Sequence, residues 1–265
     1  MSFANALRRR RGTGWIENPN DRRDWDFEKL GFGSANLPDK VDMSPHVRMV
    51  FDQGSTNSCV ANAVVNGIQI GRAVQFGDTA QEEGSRLWAY YMARAYIGAQ
   101  RRDNGCHLRD CMKGIVKMGL PPESVWRFTS NPLKVNKRPP RSAMRAAYDQ
   151  KGPKAFYRIY NGGSGRLDAM RSALSQGCPV AFGTGLDKPF LSMKGDSFLN
   201  TPIGPIVGRH AMLCVGYMWR LGQLWFLVLN SWGTGYRQGG YFWMNQAWMA
   251  SNLTTDIQVM DLGDK

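Results

Sequence analysis

Three histidines and five cysteines supply all the imidazole and thiol in 265 residues, so chemistry that needs either has few places to sit. Cys59 follows a polar turn, Gln53-Gly54-Ser55-Thr56-Asn57-Ser58, and opens an apolar run with helical spacing. A thiol in the first turn of a helix meets unpaired backbone N–H groups and the positive end of the helix dipole, and both favour the nucleophilic thiolate. Cys178 precedes Pro179 and Cys214 lies inside an apolar strand, so both read as small core hydrophobes. Of the histidines, His46 lies in a Pro-flanked stretch and His107 adjoins Cys106, while His210 begins an apolar strand. A strand end is a rigid place to hold a general base. The pattern Cys106-His107-x-x-x-Cys111 admits zinc as an alternative, but a fourth ligand is not evident, and the reading carries no metal and no cofactor.

These groups need two kinds of support. Residues 1–36 read as an arm, with scattered charges, glycines and no sustained periodicity. From about 50 to 130 the pattern is helical: Ser58 caps a helix through Gly71, Ser85 caps Arg86–Gln100, and a third helix runs Leu108–Met118 to stop at Gly119. From about 131 to 158 a Pro-rich, basic connection reads as exposed loop. From about 159 to 260, after a helix at Leu167–Gln176 capped by Ser164, strands are expected at Val180–Gly183, Ala211–Trp219, Leu224–Asn230, Gly240–Met244 and Asp256–Met260.

Three separated motifs share one resemblance. Gln53-Gly54 leading to Ser58-Cys59, Gly208-Arg209-His210-Ala211, and Asn230-Ser231-Trp232-Gly233 resemble the elements of papain-like cysteine peptidases. In that family His and Asn follow the nucleophile by about 130–150 residues. Here His210 and Asn230 fall slightly beyond, as a basic insertion would produce. Leu37-Pro38-x-x-Val41-Asp42 resembles the mature start of such enzymes, and Asp103-Asn104-Gly105 their substrate-pairing glycine strand. The likeness spans about 37–250, and stand-alone bacterial and phage members look closest. It implies an α+β, two-lobe fold: a helical left lobe, an antiparallel β-barrel-like right lobe, and the active-site cleft between them. The arm is then residues 1–36, and the peptidase domain 37–265. The implied chemistry is acyl transfer through a thioester. Cys59 is the nucleophile and His210 the base. Asn230 orients the imidazole, and the Gln53 amide holds the oxyanion with the Cys59 N–H. Asn104 and Gly105 would line the substrate site, with Trp232 also covering the His–Asn bond.

The chain departs from the family pattern at three places. Val60 stands where tryptophan often follows the nucleophile, and Thr56 replaces a cysteine, which removes the neighbouring disulfide. Arg209 precedes the histidine, a cation expected to lower its proton affinity. The arm is too short to copy the family's helical propeptide, but it is expected to pack on the body and restrict the cleft.

Composition narrows the partners. Hydrophobic residues make up 43% and charged residues 21%, which suits a globular protein, and no stretch reaches the ~18 apolar residues of a membrane helix. The odd cysteine count and the absence of a secretory pattern favour free thiols and a cytoplasmic setting, or association with a virion. The net charge is +13. Between 134 and 158 only Asp149 opposes the basic residues, so a polyanion or nucleic acid is an open but unfavoured partner. The expected substrate is a protein or peptide. A structural or interaction role in a larger assembly, for example of a phage virion or tail, is the alternative; hydrolysis of peptidoglycan cross-links is a third.

Overall fold

A helix that is apolar on every side has to be buried on every side. The sequence Val60-Ala61-x-Ala63-Val64-Val65 is such a segment, and its helix α1 (Cys59–Phe76) is the buried axis of the molecule. The computed structural model describes residues 11–21, 24–30, 36–79, 82–131, 133–150, 152–160, 162–192 and 194–263. The remaining arm positions and Lys151, which belong to the expectations above, lie outside the described residues.

On one side of α1 pack α2 (Arg86–Ala95) and α3 (Leu108–Met118). On the other lies a sheet of β1 (Lys40–Asp42), β2 (Ala155–Arg158), β3 (Val180–Leu186), β4 (Phe198–Leu199), β5 (Gly208–Arg220), β6 (Gln223–Leu229), β7 (Tyr241–Asn245) and β8 (Thr254–Asp261). Among the described residues the strand order is β2-β8-β3-β5-β6-β7-β4, with β1 joined to β5. All pairs are antiparallel except β4–β7. The order is open, so the right lobe is an α+β sheet layer that does not close into a barrel. β5 is the spine. Its first half pairs with β3, its second half shares that edge with β1, and β6 takes the other edge. This places His210, near its start, at the lobe boundary.

Several boundaries differ from the sequence reading. α1 continues past Gly71 because that glycine packs against Leu262 and does not end the helix. Ser58 makes no side-chain cap; its hydroxyl faces Thr56 Oγ1 at 2.8 Å. Ser85 does cap α2, accepting from the Trp88 N–H at 3.2 Å. α2 stops at Ala95, where the Ile97 and Ala99 N–H groups turn back onto the Arg94 carbonyl. α5 (Gly163–Ser175) has no side-chain cap from Ser164. The basic connection is not all loop. It holds α4 (Arg141–Asp149), which buries Ala143 and Ala147 four residues apart, and then β2. α6 (Gln246–Ala250) follows β7.

Candidate functional site

The turn before α1 is stitched to the segment after β6. The Gln53 N–H donates to the Ser231 carbonyl at 2.9 Å, and the Gly233 N–H to the Phe51 carbonyl at 2.9 Å. The Gln53 side chain, fully buried, donates through Nε2 to Thr56 O at 2.7 Å and accepts at Oε1 from Ser231 Oγ at 2.6 Å. Two motifs far apart in sequence are thus one hydrogen-bonded unit.

Cys59, at the start of α1, and His210, on β5, are both fully buried. The Ala211 N–H, on the residue after the histidine, donates to Cys59 Sγ at 3.5 Å. His210 Nε2 lies 2.8 Å from Asn230 Oδ1, which also accepts the Ser231 N–H at 2.8 Å. An oxygen receiving that backbone donor accepts from the ring as well, so Nε2 carries the proton and Nδ1 is the basic nitrogen. Nδ1 has no hydrogen-bond partner among the described residues. Trp232 is buried beneath, its ring 4.9 Å from the imidazole, and packs edge-on against Phe190 and Tyr236.

Burial acts on both groups in the direction of neutrality. It pushes the Cys59 thiol up to about 11, opposed by the N–H groups of Ala211, Gly14 and Val60. It pulls His210 down to about 4, opposed by Asn230. The helix-start advantage expected for the thiolate is outweighed here by desolvation. Arg209 is not the cause of the depressed imidazole: its guanidinium turns outward to Glu17 at 2.9 Å. Of the two cysteines expected in the core, Cys214 is buried, but Cys178 is only partly so and accepts from Gln75 Nε2 at 3.2 Å.

The arm lies against the turn that carries Cys59. The Gly12 N–H donates to Gly54 O, and Gly12 O accepts from Gln53 Nε2, both at 3.3 Å. The Thr13 N–H donates to Asn57 Oδ1 at 3.2 Å, and the Gly14 N–H points at the Cys59 sulfur. Gly14 O then accepts the Cys106 N–H at 3.0 Å, and Ile16 N–H donates to Cys106 O at 3.1 Å, a parallel bridge. Gly105 is needed for this approach. Its φ is +85°, and a Cβ there would stand 1.9 Å from Gly14 O. The Trp15 indole is buried, with Nε1 donating to Asp256 Oδ2 at 3.0 Å. Further along, Asp24 holds Arg109 at 2.5 Å with both side chains buried.

Cys59, His210, Asn230 and Gln53 therefore converge, and Gly105 faces them across the arm. Asn104 is exposed. Asn57, Asp103, Ser231 and Asp256 also belong to the site. Asp103 Oδ1 accepts from the Asn57 N–H at 3.0 Å and from Tyr90 OH at 2.6 Å, which ties the glycine strand to the nucleophile turn. Asn57 and Ser231 stand inside motifs visible in the sequence; Asp256 carries no local signal. The Cys106–Cys111 cluster does not converge: His107 Nδ1 donates to Ile16 O at 3.1 Å, and Cys111 Sγ faces Ala89 O at 3.8 Å.

The model of the papain family cysteine protease matches residues 37–259. A peptidase C1-like protein of Acanthamoeba polyphaga mimivirus is 28% identical over 94% of this chain and 86% of its own length. A cathepsin L-like proteinase of Fasciola hepatica is 24% identical over 78% of this chain, which spans 60% of that relative. Xylellain, a cysteine protease from Xylella fastidiosa, superposes with a TM-score of 0.83 at 29% identity, covering 97% of this chain and 99% of its own.

Proposed function

This chain belongs to the papain family of cysteine proteases and is a cysteine peptidase acting on proteins or peptides, and we propose that Cys59, His210, Asn230 and Gln53 carry its reaction. The observation that supports this most is the meeting of Cys59 Sγ with the Ala211 N–H at 3.5 Å, beside a His210–Asn230 bond of 2.8 Å. The Cys59 thiol gives its proton to His210 Nδ1. The thiolate attacks the scissile carbonyl, and the oxyanion is held by Gln53 Nε2 and the Cys59 N–H. The imidazolium returns the proton to the leaving amine, and water, activated by the same ring, hydrolyses the thioester. Asn230 fixes the ring's tautomer through Nε2, and Trp232 keeps water from that bond.

Two of these groups are engaged by the arm: Gln53 Nε2 donates to Gly12 O, and the Cys59 sulfur accepts from the Gly14 N–H. The arm therefore has to leave before substrate enters, and the form described is the closed one. Among the described residues no helix is long and apolar enough to cross a membrane. The exposed cations Lys134, Lys137, Arg138, Arg141 and Arg145 form a solvated face that favours acidic proteins among the possible substrates. The structural-component alternative gains no support from the relatives named above.

The test is alkylation by iodoacetamide with mass mapping, together with casein hydrolysis, in the intact chain and in Trp15→Ala. Fast, selective modification of Cys59 in the loosened variant, lost in His210→Ala, with hydrolysis lost in Cys59→Ala, is the expected result. Equal labelling of all five cysteines, or hydrolysis that survives Cys59→Ala, overturns the assignment.

A further inference from the structure

We propose that the basic segment from Lys134 to Arg145 is an exosite: it holds an acidic stretch of the substrate chain away from the cleaved bond, and so selects proteins with several carboxylates clustered near the cut. The proposal rests on the peptidase reading and adds to it a second binding surface, carried by α4 and the turn before it.

Both parts of the segment are fastened to the body that carries Cys59. Ser130, just before it, packs on Gly54, the neighbour of Gln53; φ of Gly54 is +60°, and a Cβ there would stand 2.6 Å from Ser130 Cβ. Lys134 follows four residues later, so its Cα lies within about 14 Å of the Ser130 Cα. The turn is closed by the Lys134 and Val135 N–H groups, which donate to Asn131 O at 3.0 and 3.2 Å. Val135 is fully buried, and buried Arg94 donates to Val135 O and Asn136 Oδ1, both at 2.7 Å, and to Arg102 O at 2.6 Å. Arg102 precedes Asp103, whose Oδ1 accepts the Asn57 N–H at 3.0 Å. One arginine thus ties the basic turn to the strand that holds the nucleophile turn. Gly119, at the end of α3, lies against α4: a Cβ there would stand 1.9 Å from Ala147 O.

What these elements present outward is charge without a partner. Lys134, Lys137, Arg138, Arg141 and Arg145 are exposed, and none of their side chains makes a hydrogen bond or ion pair among the described residues. α4 is charged against its own stability. Arg141 opens it, where the helix dipole favours an anion, and Asp149 closes it, where the dipole favours a cation. Arg141 and Arg145 stand one turn apart on one face and repel each other. The buried side of the helix needs only Ala143 and Ala147. Folding alone gives no reason for cations at these positions, and an anionic partner relieves the repulsion between them.

The kind of anion follows from what else the segment offers. A single-stranded nucleic acid needs a row of rings to stack its bases, and between 131 and 150 Tyr148 is the only aromatic residue. An acidic polypeptide needs spaced cations, and arginine forks hold carboxylates in pairs of hydrogen bonds. α4 is about 13 Å long, the reach of about four extended residues. The fitting stretch therefore carries three or four acidic residues in close succession. Because that stretch and the scissile bond lie on one chain, its capture raises the local concentration of the bond at Cys59, which lowers KM and leaves kcat unchanged.

The test uses fluorogenic peptides that share one core, a casein fragment cut by the Trp15→Ala chain, extended at either end by four Glu or four Gln. Glu at one of the two ends is expected to lower KM about 10-fold relative to Gln, with the advantage fading as salt rises from about 50 to 300 mM. Adding Arg138→Glu, Arg141→Glu and Arg145→Glu should bring the ratio of the two KM values to about one or invert it. The ratio is taken within one enzyme, so partial loss of folded protein does not alter it. Lys40→Glu, Lys154→Glu and Lys188→Glu make the same change of net charge on other elements and should keep the ratio. In parallel, the Trp15→Ala, Cys59→Ala chain is titrated with the fluorescein-labelled Glu peptide by anisotropy, alone and against a single-stranded oligonucleotide. Equal KM values for Glu and Gln, equal loss of the ratio in both triple variants, or tighter binding of the oligonucleotide than of the peptide overturns the exosite. Binding of the Glu peptide that depends on Arg138, Arg141 and Arg145, in a chain that cleaves no peptide, supports the acidic-peptide surface and overturns the hydrolytic reading instead.

Discussion

Burial moves the proton affinities of Cys59 and His210, the two groups proposed to react, in opposite directions and leaves both neutral, and this gives the closed form a pH signature. His210 falls from 6.5 to about 4 on folding. A depressed base contributes stability that is present above its unfolded value and is lost as pH falls through its folded one, so the melting temperature should drop between pH 6.5 and 4. The limb is worth roughly 3 kcal/mol, and it should flatten in His210→Gln. Cys59 rises from 9.0 to about 11, so its contribution is present below pH 9 and is lost toward 11. Alkylation of the intact chain should accordingly be slow at neutral pH and quicken through that upper range. Gln53→Ala should lower kcat about 10²- to 10³-fold in a form freed of the arm, the usual loss of one oxyanion donor. At this scale the sequence was informative where a residue type is rare or sits in a spaced motif, as Cys59, His210 and Asn230 do. It was silent on Asp256, because an aspartate in a β-rich stretch gains meaning only from the indole that folding brings to it from the far end of the chain.

Helices and strands matter here through what they tie together. Ser85 caps α2 and its hydroxyl also donates to Trp126 O at 2.7 Å, so Ser85→Ala should cost about 1–2 kcal/mol in urea denaturation. Arg94, fully buried on the same helix, donates to Tyr90 O at 3.1 Å, Arg102 O at 2.6 Å, Asn136 Oδ1 at 2.7 Å and Val135 O at 2.7 Å. It joins α2 to the strand carrying Gly105 and to the connection leading toward α4. Arg94→Met should destabilise the chain by several kcal/mol, because it leaves those acceptors buried without a donor. Calorimetry checks it. α3 and its stop at Gly119 were legible because periodicity and a terminating glycine agree there. α4 was not, because its apolar face is only Ala143 and Ala147 amid prolines and cations, too thin a stripe to outweigh the loop signals. Strand cores were found more readily than strand ends: β5 extends to Gly208 and Arg220 through pairing with three neighbours, which no local pattern encodes.

At the scale of the whole molecule, the arm is fastened at points of unequal worth. Exposed pairs, Arg209–Glu17 and Arg11–Asp52, contribute little. The buried Trp15 and the buried Asp24–Arg109 pair, with Arg109 also donating to Pro19 O at 2.8 Å, contribute most. Arg109→Ala should leave the buried Asp24 carboxylate only the longer 3.6 Å pairing with Arg158 and raise Cys59 alkylation at pH 7 at least about 10-fold, with new proteolytic cuts near residues 15–20. Unchanged labelling would mean that the arm is held by Trp15 alone. Because Trp15 and the cleft lie on one chain, the blocking segment faces its site at an effective concentration on the order of millimolar, whatever the amount of protein present. Dilution leaves that value unchanged. A peptide that opens the enzyme has to outcompete a tethered rival, so apparent KM values in the intact chain report the tether as well as the cleft. If unblocking happens within a single molecule, its time course keeps the same half-life across a dilution series. A half-life that lengthens with dilution reveals one molecule trimming another.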